Sequence, residues 1–159
     1  MYKRIISRLD IKNGILVKGI SLEGVRNLGN PDFFSKRYYD DLIDEIHFHN
    51  VIATLYDSNM VFEIIERNSK QIFVNVSVGG GVKTLECFEQ FLNNGADKVF
   101  INSEAIQNPN LIKLASEKFG SQCVVLGIDF KELDKKKFVE FSKGGKINTN
   151  LELFERTKR

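Results

Sequence analysis

The sequence predicts an α/β fold, a partial (βα)8 TIM barrel with four βα units, a fifth strand and a charged hairpin. Three observations carry this expectation. Apolar runs of strand length alternate with segments of helical period, the pattern of a parallel sheet covered by helices. The strand ends fall near residues 10, 50, 79, 102 and 129, at a mean interval close to one βα unit. Finally, Leu9-Asp10-Ile11-Lys12 is echoed 119 residues later by Ile128-Asp129-Phe130-Lys131, as if a half-barrel had been duplicated within a chain of about 240 residues.

Residues 5–11 form the first expected strand, and a long glycine-punctuated loop is expected over 12–30. Pro31 opens a helix to about residue 43, tolerated because an N–H at the first helical turn has no intrahelical partner. A strand over 45–51 and a helix over 57–68 follow, then strands over 72–78 and 98–101 on either side of a helix over 84–93, for which Thr84 is the N-cap. Pro109 opens the next helix, which runs to Lys118 and stops at Gly120, and residues 123–130 are the fifth strand. The tail from Lys131 reads as a hairpin turning at Lys143-Gly144-Gly145-Lys146, with a helix start near Asn150. An eight-unit ring needs ~200 residues or more. Residues 1–159 are therefore expected to be one incomplete barrel domain, with 1–121 the N-terminal half-barrel and 122–159 the start of a second half.

Composition narrows the partners. With 23 Lys and Arg against 21 Asp and Glu, the chain lacks the basic excess of a nucleic-acid or anionic-membrane surface. Cys87 and Cys123 form no CxxC pair, so they read as buried thiols rather than as a disulfide or zinc framework. Arg8 and Asp10 interrupt any apolar leader, and no window approaches ~18 uncharged apolar residues. A cytoplasmic protein is expected.

Barrel active sites gather at strand C-termini, which is where Asp10 and Asp129 fall. On opposite sides of a ring they could serve as acid and base on one substrate; alternatively each caps its following loop. Val78-Gly79-Gly80-Gly81-Val82 follows a strand and is a candidate anion cradle, with Gly80 and Gly81 bringing backbone N–H groups close to a phosphate. A plain strand-to-helix turn is the alternative. Asn102 and Ser103 add an amide and a hydroxyl, and Lys18 in the first loop could close over a phosphate or remain solvated. No GxGxxG dinucleotide signature is present.

Counting by twos from Asp10 places Arg4, Ile6 and Arg8 on one face, and the same period groups Glu45 with His47 and His49. Arg4, Glu45 and Lys98 would then form a charged ring at the barrel bottom, readable as stabilising ion pairs. His47 and His49 have metal-ligand spacing but no third ligand nearby, so they are expected to be polar strand or pocket residues, and no metal is expected. Phe33, Phe34, Phe88, Phe91 and Phe119 fit helix faces.

Taken together, Lys3-Arg4-Ile5-Ile6, Leu9-Asp10, Val17-Lys18-Gly19, Val78-Gly79-Gly80-Gly81, Gly95-Ala96-Asp97-Lys98-Val99, Ile101-Asn102-Ser103, Asn108-Pro109, Phe119-Gly120-Ser121-Gln122 and Ile128-Asp129 closely resemble the N-terminal portion of the cyclase subunit of imidazole glycerol phosphate synthase. The resemblance implies a (βα)8 lyase of histidine biosynthesis. Such an enzyme uses ammonia from a glutaminase partner to convert a bis-phosphorylated aminoimidazole-carboxamide ribonucleotide precursor, without a cofactor. It further implies Asp10 and Asp129 as the acid/base pair, Lys18, Gly80, Gly81, Asn102 and Ser103 as substrate- and phosphate-binding, and Arg4, Glu45 and Lys98 at the ammonia entrance. Two features depart from the family: Asn50-Val51-Ile52-Ala53-Thr54 stands where it carries Asp-Ile-Thr-Ala-Ser, and Arg8 replaces a small residue. They fit a related enzyme that aminates a surface-polysaccharide sugar precursor. Two further expectations follow from the chain's length: a half-barrel that only binds a phosphorylated ligand, and self-association that covers an open barrel edge.

Overall fold

The computed structural model describes residues 3–20, 24–52, 55–134, 137–142 and 147–154. In chain order the first elements are β1 (Ile6–Lys12), β2 (Ile15–Ile20), β3 (Gly24–Gly29), α1 (Pro31–Asp40), β4 (Glu45–Asn50), α2 (Leu55–Ser69) and β5 (Asn75–Gly79). There follow α3 (Leu85–Asn93), β6 (Lys98–Ile101), α4 (Ser103–Gln107), α5 (Asn110–Phe119), a 3-10 turn and β7 (Val124–Leu126). The last described strands are β8 (Asp129–Asp134), β9 (Lys137–Ser142) and β10 (Ile147–Glu152).

Strands β1, β4, β5, β6 and β7 pair in parallel in that order, each joined to the next through helix, which is the strand and helix order of a partial (βα)8 barrel. Thr84 is the N-cap expected for its helix, and Asn30, not singled out in the sequence, caps the helix that Pro31 opens. Asn30 Oδ1 accepts from the Asp32 N–H with Pro31 in the first turn, and Thr84 Oγ1 accepts from the Cys87 N–H at 3.3 Å. Outward residues of the strands, among them Leu9, Ile11, Ile46, Phe48, Val76, Val78, Val99 and Ile101, bury against Val61, Ile64, Ile65, Phe88, Phe91, Leu111 and Ala115 of the helices. Each such side chain contributes about 1.5–3 kcal/mol. Of the five phenylalanines assigned to helix faces, Phe88 and Phe91 are fully buried, Phe34 and Phe119 pack partly on the core, and Phe33 is exposed. Cys87 and Cys123 are free and half-buried rather than buried.

Four expectations need correction. Residues 12–30 are not a loop: β2 pairs antiparallel with β1 and β3 with β2, so the seven-stranded sheet runs β3-β2-β1-β4-β5-β6-β7. The signal was local, because Asn13 and Gly14 have φ of 51° and 71° between the paired residues Lys12 and Ile15, the positive-φ two-residue turn that Asn-Gly favours. The expected fifth strand is divided. β7 ends at Leu126, and Asp129 starts β8 of a separate antiparallel sheet ordered β10-β9-β8. A Cβ on Gly127 would stand 1.9 Å from the Phe100 ring, so the chain passes that ring only as glycine. Asn150 begins no helix. It lies in β10 with φ 60°, beside a register shift, and its N–H donates to Asn148 Oδ1. The strand expected over 72–78 begins only at Asn75 and ends at Gly79, and Ser103, just past β6, begins the short helix α4. The expected turn at 143–146 and part of the expected loop, 21–23, lie outside the described residues.

Candidate active site

Parallel register stacks the inward residues in tiers. Glu45 lies opposite Ile6 at the bottom; Arg8, His47, Ser77 and Lys98 form the next tier; Asp10, His49, Gly79 and Phe100 form the one nearest the strand C-termini. The expected period of two therefore holds on β1 and β4, and it extends through β5 and β6 to residues not singled out in the sequence, Ser77 and Phe100.

At the bottom, Glu45 is the hub of the expected ring. Its side chain is only 4% exposed, and its Oε2 lies 2.5 Å from Lys98 Nζ and 3.7 Å from Arg4 Nη1. A buried carboxylate flanked by two cations is costly to disrupt from one side. We expect Glu45→Ala to destabilise the fold by about 3 kcal/mol, read as a lower urea midpoint.

In the upper tiers the two imidazoles are joined, His47 Nε2 to His49 Nδ1 at 3.2 Å, and His47 Nδ1 meets Ser77 Oγ at 3.1 Å. Phe100 packs 5.1 Å from His47 and 6.2 Å from His49, centroid to centroid. These rings lie over the bare backbone of Gly79, where a Cβ would come within 2.8 Å of Phe100 and 3.3 Å of each imidazole. Burial, the charge of His49 and the nearby Arg8 push His47 down to about 3, and burial and Arg8 push His49 down to about 4, so both are neutral at physiological pH.

Arg8 does turn inward, and its Nε donates to Asp10 Oδ1 at 2.7 Å. Asp129 accepts from Asn102 Nδ2 at 3.0 Å, which ties the start of β8 to the residue just after β6. Asp10 and Asp129 both act electrostatically on His49, partly offsetting the effects of burial and Arg8. Asn50 is buried, and its Oδ1 accepts from the Ile52 N–H in a local turn. Gly80 and Gly81 have φ of 97° and 76°. A Cβ on Gly80 would lie 2.0 Å from the Asn50 carbonyl oxygen, so Gly80→Ala should cost about 2–3 kcal/mol in thermal unfolding. Helix α3 begins only at Leu85, with Thr84 already capping it, so the glycines precede that helix start by several residues. Lys18 is exposed on β2, opposite Arg26, and makes no recorded contact with the other candidate residues. Among the described residues no group of three or more His, Cys, Asp or Glu could hold a metal ion, and no helix is long and apolar enough to cross a membrane.

Residues 4–159 match the family model described as histidine biosynthesis protein. The chain belongs to that family. Relatives named imidazole glycerol phosphate synthase subunit HisF are 41% identical in Lactococcus lactis over 99% of this chain and 61% of the relative, and 42% identical in Petrotoga mobilis over 96% and 61%. One from Wolinella succinogenes is 43% identical over 98% and 62%. The chain thus spans about three-fifths of the length of these curated relatives of its family.

Proposed function

We propose that this chain carries part of the active site of an ammonia-dependent cyclase that makes imidazole glycerol phosphate, with Asp10 and Asp129 as its proton-transfer groups. The observation that carries the reading is one of placement: Asp10 of β1 lies opposite the inward-facing His49 in register, and Asp129, at the start of β8, also acts electrostatically on that ring. Ammonia would add at the keto carbon of the ribulosyl chain of the bis-phosphorylated precursor. One carboxyl would assist loss of water, and the other the proton transfers that precede cleavage and ring closure. Gly80, Gly81, Asn102 and Ser103 would hold one phosphate through backbone N–H groups, amide and hydroxyl, with Lys18 arriving from the β2–β3 hairpin. On this reading residues 1–159 act as one incomplete barrel domain, 122–159 opening its second half.

Arg4, Glu45 and Lys98 would mark the ammonia entrance, and a glutaminase subunit would dock there. The loops around that ring expose Ile5, Leu42 and Phe73 (68, 88 and 78%), apolar surface suited to a protein partner. A second reading, a related enzyme that aminates a sugar precursor of surface polysaccharide, is favoured by the Arg8–Asp10 pair, since a cation in the mouth alters what fits there.

The test is ammonia-dependent turnover of the bis-phosphorylated precursor, measured with sedimentation mass. Product formation by the self-associated chain, which encloses the mouth, is the expected result, and product formation by a monomer would refute the need for a second half. A folded assembly that binds phosphate without turning over the precursor would leave a binding half-barrel and sink the cyclase reading.

A further inference from the structure

The inward histidines have no part in the chemistry above, yet His47 is buried and His49 half-buried, and they are joined to each other and accommodated by a glycine. His47 offers one nitrogen to Ser77 and the other to His49, and His49 spends its Nδ1 on His47, which leaves its Nε2 uncommitted in the upper tier. A neutral imidazole carries one N–H and one bare nitrogen, so the chain of contacts must run in a single direction. Asp10 stands opposite His49 in register, and it and Asp129 favour a proton on that ring while Arg8, paired with Asp10, opposes one; with Nδ1 of His49 accepting from His47, the ring's proton stands on the nitrogen left for a ligand. Ser77 then donates to His47 Nδ1, His47 Nε2–H donates to His49 Nδ1, and His49 presents Nε2–H. Of the cations on the inner face, Arg8 is engaged by Asp10 and Lys98 by Glu45.

We propose that His49 is a substrate-binding residue whose Nε2–H donates to a hydroxyl or keto oxygen of a ketose-phosphate ligand, and that His47 and Ser77 are positioning residues that hold it in that tautomer. The proposal rests on the mouth assigned under the proposed function and adds to it a class of recognised group, an uncharged sugar-chain oxygen. A neutral donor suits that task, because it orients an oxygen without introducing a further charge beside Asp10 and Asp129.

Long-range ¹H–¹⁵N spectra of the histidine-labelled chain at pH 7 read the tautomers directly. Both rings should carry their proton on Nε2, and Ser77→Ala should shift the His47 Nδ1 resonance. Titrations with inorganic phosphate and with ribulose 5-phosphate then separate the two sites. His49→Leu should weaken ribulose 5-phosphate roughly five- to tenfold and leave phosphate unchanged, while His49→Gln, which keeps an N–H donor, should restore binding to within about twofold. Equal ribulose 5-phosphate affinity in the unaltered and leucine forms, or a proton on His49 Nδ1, overturns the role of His49 alone. Absence of phosphate binding by the unaltered chain overturns the mouth itself. Should the leucine form not fold, the tautomers and the glutamine form decide.

Discussion

Asp129→Asn and Asp10→Asn should each lower ammonia-dependent turnover by about 10²–10⁴-fold while the folded state persists. An amide has nearly the shape of a carboxylate but neither accepts nor releases a proton in the working range. At position 129 the substitution keeps the contact with Asn102 Nδ2, since an amide oxygen accepts the same hydrogen bond. At position 10 it leaves Arg8 facing a neutral group, and the exposed guanidinium can turn to solvent. The loss should therefore fall on kcat, with KM changed little. A kcat within about tenfold of the unaltered chain for both variants, with unfolding midpoints preserved, would remove the two aspartates from the mechanism.

Acidification should destabilise the fold well before most carboxylates titrate. Burial holds His47 at about 3 and His49 at about 4, against 6.5 for an exposed imidazole. Below pH 6.5 the unfolded chain takes up protons that the folded chain refuses, so stability is full above that pH, falls as the pH drops, and levels off once the folded rings protonate near 4 and 3. At pH 5 the difference amounts to about 2 kcal/mol for each ring, lowering the melting temperature between pH 7 and pH 5 by on the order of 10 °C. The charges facing the pair are Arg8 and Asp10 from β1 and Asp129 from β8, with Lys98 of β6 in the His47 tier. Arg8 and the carboxylates oppose one another at His49, which leaves burial as the governing cause. The double substitution His47→Leu/His49→Leu should abolish most of this drop. A pH-sensitive midpoint that survives it would place the acid response elsewhere.

Local signals in the sequence were legible where the physics is local. Thr84 caps the helix it was expected to cap, and Pro31 opens its helix as expected, because helix starts depend on a few neighbouring residues. Lys98–Ile101 was read residue for residue, and Glu45 was grouped with His47 and His49 because alternation along a strand needs no tertiary knowledge. Strands β2 and β3 were missed although Asn13-Gly14 announced the turn from β1 into β2, since the glycines scattered over 12–30 outweighed that dipeptide. The division after Leu126 had no comparable signal. Residues 123–128 and Phe130 are apolar or glycine around Asp129 and read as one strand, and the Phe100 ring beside Gly127 marks where the chain turns out of the parallel sheet.

The sequence by itself determined the order of strands and helices, the faces the strands present, and the motifs that relate this chain to its family, because periodicity and capping are written in neighbouring residues. Only the tertiary structure decided which side chains share a tier. Asp10, His49, Gly79 and Phe100 come from four separate strands, and no pattern within any one of them specifies the register that aligns them. That alignment follows from burying every outward apolar residue against the helices at once, a condition met by the whole sheet, and it brings the paired imidazoles next to Asp10 and within the field of Asp129.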